Sequence, residues 1–201
     1  IEPKTVFYQL HKKGKLHRPK EDDEVAMYEI LKRTMAENGI EQYEISNFAK
    51  PGYESKHNLT YWNNDHYYGF GAGASGYLPG KRIMNVKPLG TYMEKVRNGE
   101  KPIEEIDAIG IKEKIEEEMF LGLRKVKGYD ENVFLDKYGI SLEQIYGDVL
   151  EKLLHRGLLT KENDLWKLTD DGMLLANLVF TEFILEDRQL ERLKNACSLD
   201  A

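Results

Sequence analysis

The sequence predicts a mixed α+β chain that ends in a winged-helix-like module. Three observations carry this. A helical apolar stripe over residues 21–38 leads directly into a short strand pattern. A hairpin signal is centred on Pro79-Gly80. From about Glu104 the texture changes, and three helical segments with a small hairpin follow.

Thr5-Val6-Phe7-Tyr8 read as the end of a strand leading into a short helix. His11, Lys12, Lys13, Lys15, His17, Arg18 and Lys20 follow, interrupted by Gly14 and Pro19, as in a solvated loop. The acids Glu21, Asp22, Asp23 and Glu24 cancel much of that basic field and suit the positive end of a helix dipole. Val25, Tyr28, Leu31 and Met35 then recur at helical spacing, and Asn38-Gly39 closes the helix. Residues 40–45 form a strand with Ile40, Tyr43 and Ile45 as its bulky members. Residues 67–78 and 81–86 are the hairpin arms around Pro79-Gly80, with glycines weakening the first arm. Pro88 opens a helix that runs to Arg97, and Asn98-Gly99 ends it.

Beyond 104, Ile111, Ile115, Met119 and Leu123 make one apolar stripe. Ser141-Leu-Glu-Gln144 is a capping box that starts a helix through Leu142, Ile145, Val149 and Leu153, and Gly157 stops it. Residues 158–169 read as a hairpin holding Trp166 in its packing, and a last helix spans about 170–185. The domain expectation is 1–103, 104–190 and a polar tail 191–201.

Composition narrows the function classes. The chain has 201 residues, 41% hydrophobic and 32% charged, with net charge −6. That balance argues against bulk attraction to nucleic acid or anionic membrane. A winged-helix outline invites a DNA-binding reading, yet the helix after Ser141 shows Glu143, Gln144, Asp148, Glu151 and Lys152, a poor surface for phosphates. No apolar run is long enough to cross a bilayer. Cys197 is the only cysteine, so three cluster thiolates or an intrachain disulfide cannot form, and a reducing, cytoplasmic setting is expected. The opening Ile1-Glu2-Pro3-Lys4 has no basic-then-apolar start, and the chain reads as part of something longer.

Residues 43–77 hold the chemistry. His57, Asn58, Tyr61 and Trp62 stand beside a glycine run, Gly69-Phe-Gly-Ala-Gly-Ala-Ser-Gly76. On a helix, His57 and Tyr61 share one face and Asn58 and Trp62 the next. Such a helix can present an imidazole and an aromatic ring together. Equally, Asn58 can cap a turn while the rings fill core. Alternate glycines admit close approach of a ligand or another backbone. The run lacks the strand-before, helix-after context of a dinucleotide site and the Lys-Ser or Lys-Thr pair of a P-loop. Ser75 is outside any nucleophile-elbow pattern, and no catalytic residue is assigned.

Tyr43-Glu-Ile-Ser-Asn-Phe-Ala-Lys-Pro-Gly52, His57-Asn-Leu-Thr-Tyr-Trp62 and the glycine run closely resemble the oxygen-independent coproporphyrinogen III oxidase-like family of radical S-adenosylmethionine proteins, on its HemW side, through the motif HNxxYW. The resemblance runs through nearly the whole chain. It implies the late part of a partial triosephosphate-isomerase-type barrel followed by the family's C-terminal accessory domain. It implies S-adenosylmethionine and a [4Fe–4S] cluster in the full-length protein, on a CxxxCxxC motif that this chain lacks; the chain resembles a C-terminal portion, inactive in cofactor reduction by itself. It further implies haem or porphyrin as ligand, haem-accepting proteins as partners, and haem chaperoning as the function. The alternatives are a coproporphyrinogen oxidase and, outside the family, a winged-helix binding module. Carried over residue by residue, His57 is the candidate haem contact and iron ligand, with Asn58, Tyr61 and Trp62 around it. Gly71, Gly73 and Ala74 match a late-barrel strand that approaches the adenosyl and porphyrin site.

Overall fold

The structure is a computed structural model that describes residues 1–197. The chain divides into two compact units after Glu41. In the first, α1 (Val6–Lys12) and α2 (Glu21–Glu37) carry no buried residue. The expected strand at Thr5–Tyr8 is instead the start of α1, because the Thr5 hydroxyl accepts the Tyr8 N–H at 3.2 Å and caps the helix. The basic segment expected as loop is therefore helical as far as Lys12. Helix α2 begins on its four acids and ends as expected, with Asn38 at the C-cap and Gly39 at φ +67°.

The second unit begins at Gln42, within β1 (Glu41–Glu44), which pairs to β2 (Asn47–Ala49) and is followed by α3 (Lys56–Trp62). An antiparallel sheet of order β3-β4-β5 comes next, from β3 (Ser75–Leu78), β4 (Lys81–Asn85) and β5 (Ile103–Ala108), with α4 (Leu89–Arg97) between the last two. Gly80 turns the β3–β4 hairpin at φ +72°. The first arm is shorter than its pattern: only Ser75–Leu78 is strand, and Tyr67 rejoins it through a single bridge to Tyr77. Strand β5 crosses the 103/104 boundary set by sequence texture and pairs back onto β4. Five of its six residues are exposed, so it leaves no period-two apolar signal.

The rest is the accessory region. Helix α5 (Ile111–Gly122) leads to β6 (Tyr129–Asp130), α6 (Glu131–Tyr138) and α7 (Leu142–His155). The hairpin β7 (Leu159–Glu162) and β8 (Leu165–Leu168) adds to β6 in the order β6-β8-β7. Helices α5, α6 and α7 with this three-stranded wing give the winged-helix outline; α6 and β6 stand where the sequence reading placed no element. Ile115, Met119, Phe134, Ile145, Tyr146 and Leu153 are at most 1% exposed and form the heart of the core. The Ser141–Gln144 capping box is formed in both directions, at 2.9 and 3.2 Å. Trp166 is buried, and its Nε1–H donates to Glu131 Oε2 at 2.8 Å.

The single helix expected over about 170–185 is two short ones, α8 (Asp170–Leu174) and α9 (Ala176–Thr181), broken at Leu175. Their anchors differ. Gly172 lies so near the wing that a Cβ there would sit 2.0 Å from the Leu158 carbonyl oxygen. Beyond α9, the Phe183 carbonyl accepts the buried Tyr146 hydroxyl of α7 at 2.9 Å. Helix α10 (Asp187–Cys197) occupies much of the expected polar tail; residues 198–201 lie outside the described residues. Among the described residues, no helix is long and apolar enough to cross a membrane.

Candidate functional site

Helix α3 is seven residues long, too short to hold itself in water, so its position depends on what grips it. Ser55 caps its start, accepting the Asn58 N–H at 3.3 Å. The four motif residues split by face, as their spacing predicts. His57 is exposed and Tyr61 half-buried: Tyr61 Oη lies 2.6 Å from His57 Nε2, and the rings meet edge-on at 4.7 Å. Asn58 and Trp62 face the protein. Asn58 Nδ2 donates to the Tyr43 hydroxyl of β1 at 3.2 Å. Trp62 lies under the Arg124 guanidinium, 4.3 Å from its ring centre. Ser55, not Asn58, is therefore the cap, and neither Tyr61 nor Trp62 is fully buried.

Arg124 is itself fixed. Its Nη2 pairs with Glu44 Oε2 at 3.0 Å, and Glu44 is fully buried. The other Glu44 oxygen accepts the Ser46 N–H at 2.9 Å and Asn47 Nδ2. The segment after α5 runs antiparallel to β1: Ile45 N–H donates to Arg124 O and Val126 N–H to Tyr43 O, each at 3.1 Å. Trp62 Nε1 and Arg124 Nε are buried without a hydrogen-bond partner, which costs about 1–3 kcal/mol for each such group.

The far end of α3 is gripped more heavily. Asn64, in left-handed geometry at φ +54°, donates from Nδ2 to Glu118 Oε2 at 3.2 Å. Glu118 is 2% exposed and also accepts Lys137 Nζ at 2.8 Å, Tyr129 Oη at 3.0 Å and Tyr138 Oη at 3.1 Å. Asn63 accepts Lys125 Nζ on its side-chain oxygen at 2.8 Å and Lys137 Nζ on its carbonyl at 3.1 Å. Burial, reinforced by the Glu118 charge, pushes the Tyr129 and Tyr138 phenols well above their usual value. Burial lowers the Lys125 ammonium, and Glu118 opposes that shift.

From α3 an aromatic chain leads to the sheet. Tyr61 meets Tyr67 edge-on at 4.6 Å, and Tyr67 pairs with Tyr77 of β3 through N–H···O bonds of 2.8 and 2.9 Å. Tyr61, Trp62, Asn64, Tyr67, Tyr77 and Arg82 line a cavity of about 280 Å³. Burial raises the Tyr67 and Tyr77 phenols.

The glycine run serves backbone geometry first. A Cβ on Gly69 would lie 2.4 Å from the Ser75 carbonyl oxygen. Gly71 and Gly73 sit in the loop before β3, not in the strand that the resemblance implies, because they adopt φ +111° and +68°, outside strand geometry. Gly71 N–H donates to Tyr92 Oη at 3.1 Å, Gly73 N–H to Val86 O at 2.9 Å, and Ala74 O accepts Asn85 N–H at 2.9 Å. Among the described residues, no hydrogen bond or ring contact links His57 to this loop. Phe70, at the loop's tip, is 86% exposed.

Glu118, Arg124, Lys125 and Lys137 are absent from the sequence-derived site. Only Glu118 had a signal: three residues after Ile115 and one before Met119, it falls on the edge of the apolar stripe of α5, where a carboxylate needs partners.

This geometry can be set beside known proteins. The HemN C-terminal domain family matches residues 112–175, the accessory region from α5 to α8. The chain belongs to the HemN/HemW family. It is 49% identical to "Heme chaperone HemW" of Bacillus subtilis over 92% of this chain and 49% of that protein. It is 45% identical to the Lactococcus lactis protein of the same name, over 93% of this chain and 49% of the relative. The chain spans about half the length of the curated relatives it matches. Its fold is like that of coproporphyrinogen III oxidase (HemN) from Escherichia coli, a radical SAM enzyme, with a TM-score of 0.62 and 15% identity over 83% of this chain and 42% of that one.

Proposed function

We propose that this chain is part of a haem chaperone, a protein that binds haem and passes it to acceptor proteins. The observation that carries the reading is the exposed His57, bonded to Tyr61, within a chain 49% identical to "Heme chaperone HemW" of Bacillus subtilis. Haem here is cargo. In this reading its iron takes His57 Nδ1, which has no hydrogen-bond partner among the described residues. Nε2–H then donates to Tyr61 Oη, fixing the tautomer and raising the basicity of the ligating nitrogen. Tyr61 offers an aromatic edge beside the macrocycle, and Asn58 and Trp62 hold the helix from behind. Gly71, Gly73 and Ala74 supply shape on the adjoining wall, since the polar backbone groups described above are already bonded internally.

The relatives' longer chains leave room for S-adenosylmethionine and a [4Fe–4S] cluster outside this sequence. The residues present do not fit the cluster. The chain has one cysteine, and among the described residues no group of three His, Cys, Asp or Glu is placed to hold a metal. The likeness to HemN concerns fold alone and assigns no decarboxylation.

Titration of the chain with hemin, followed at the Soret band, tests the reading. Saturable one-to-one binding is expected, with His57→Ala losing the ligated spectrum. An unchanged spectrum and affinity in His57→Ala would remove His57 from the site.

A further inference from the structure

The motif helix presents its His57–Tyr61 pair from one end of a network whose other end is the accessory region. Every side-chain grip on the Asn63–Asn64 turn comes from residues 54 to 74 positions further along: Glu118, Lys125 and Lys137. The carboxylate at the centre, Glu118, is 2% exposed and accepts four hydrogen bonds, two from α6, one from the adjoining β6 and one from Asn64. A buried carboxylate is expensive to keep, and well-packed apolar groups in its place often serve stability as well or better. Its four donors converge from three separate segments, and one of them closes the motif helix. Tyr129 and Tyr138 also belong to the accessory core, Tyr129 by its own burial and Tyr138 by packing on Phe134 at 4.8 Å. The network therefore ties the end of α3 to that buried core.

We infer that Glu118 is a positioning residue for the His57–Tyr61 pair, acting through Asn64, with Lys125 and Lys137 as a second grip through Asn63. The accessory domain thereby sets the presentation of the ligating imidazole without touching the ligand. This rests on the haem reading for its consequence and on the network alone for its geometry, so the two can be tested separately.

Asn64→Gly is the decisive variant. Glycine tolerates φ +54° and keeps the turn while deleting the reach to Glu118. In the ligand-free chain, the 1H–15N imidazole signals of His57 are expected to shift and broaden, with an unchanged thermal midpoint. With hemin, affinity is expected to fall by about tenfold or more, the usual range for removing a group that orients a metal ligand, and the Soret band to move. Wild-type imidazole signals in Asn64→Gly would overturn the positioning role, whatever haem does. If Asn64→Gly also lowers the thermal midpoint, Asn64→Asp decides by the same signals. Aspartate also tolerates φ +54°, and its carboxylate cannot donate to Glu118, so unchanged His57 signals there overturn the inference. Failure of the haem reading looks different: His57→Ala binds hemin like wild type, while the ligand-free signals still respond to Asn64→Gly.

Discussion

Helices α3 and α7 are held in opposite ways. Helix α7 buries five residues, Leu142, Ile145, Tyr146, Leu150 and Leu153, along one stripe. Helix α3 buries none and is held by an amide, a stacked indole and the turn that follows it. Apolar burial acts over any surface that excludes water, so it tolerates small shifts and gives stability. Polar tethers act only at fixed distances and angles, so they give orientation at little net gain. The first is what a scaffold needs. The second is what a helix needs if it must present one imidazole at one angle.

The largest break in this contrast should come from α7. Leu153→Ala removes a fully buried side chain and is expected to cost about 2–5 kcal/mol in urea unfolding. A cost below 1 kcal/mol would mean that α7 is not the scaffold described.

The next effect is alkaline. Tyr129, Tyr138 and Tyr146 are all pushed up by burial from a usual value of 10. Above pH 10 the unfolded chain releases phenol protons that the folded chain keeps, so stability is full below that pH and falls as pH rises. Each phenol contributes a slope of about 1.4 kcal/mol per pH unit. The lowered Lys125 ammonium works the other way below its usual 10.5 and offsets at most one of them. Urea midpoints at pH 9 and 11 should therefore diverge, and Tyr138→Phe should flatten the slope by about one proton. Equal midpoints would show that these phenols ionise freely in the fold.

The smallest effect separates the two helices by their caps. Ser141→Ala is expected to lower global stability by about 1 kcal/mol, because α7 unfolds with the core. Ser55→Ala on α3 should cost less by the same measurement, since tethers at its other end remain. Equal losses would place α3 in the same cooperative unit as the core.

Local signals were legible where local physics decides. The Ser141–Gln144 box, the Pro79-Gly80 turn and the glycine stops at 39, 99 and 157 all stand where their residue types put them. Helix α6 was missed although it has signals of the same kind: Asp130 accepts the Asn132 N–H at 2.9 Å and Gly139 ends the helix at φ +67°. Strand β5 was not legible, because an exposed edge strand has no buried face to write an alternation.

The faces of α3 follow from residue spacing: four apart puts His57 with Tyr61, and Asn58 with Trp62, on any helix. That His57 is exposed, and what holds Asn58 and Trp62, depends on contacts between distant segments. Arg124 reaches Glu44 across 80 positions, and Lys137 reaches Asn63 across 74. Periodicity and capping act within a few residues, whereas a hydrogen bond between distant segments exists only once the chain has folded to bring its donor and acceptor together. That is why the histidine could be found by its motif, and its support only by its distances.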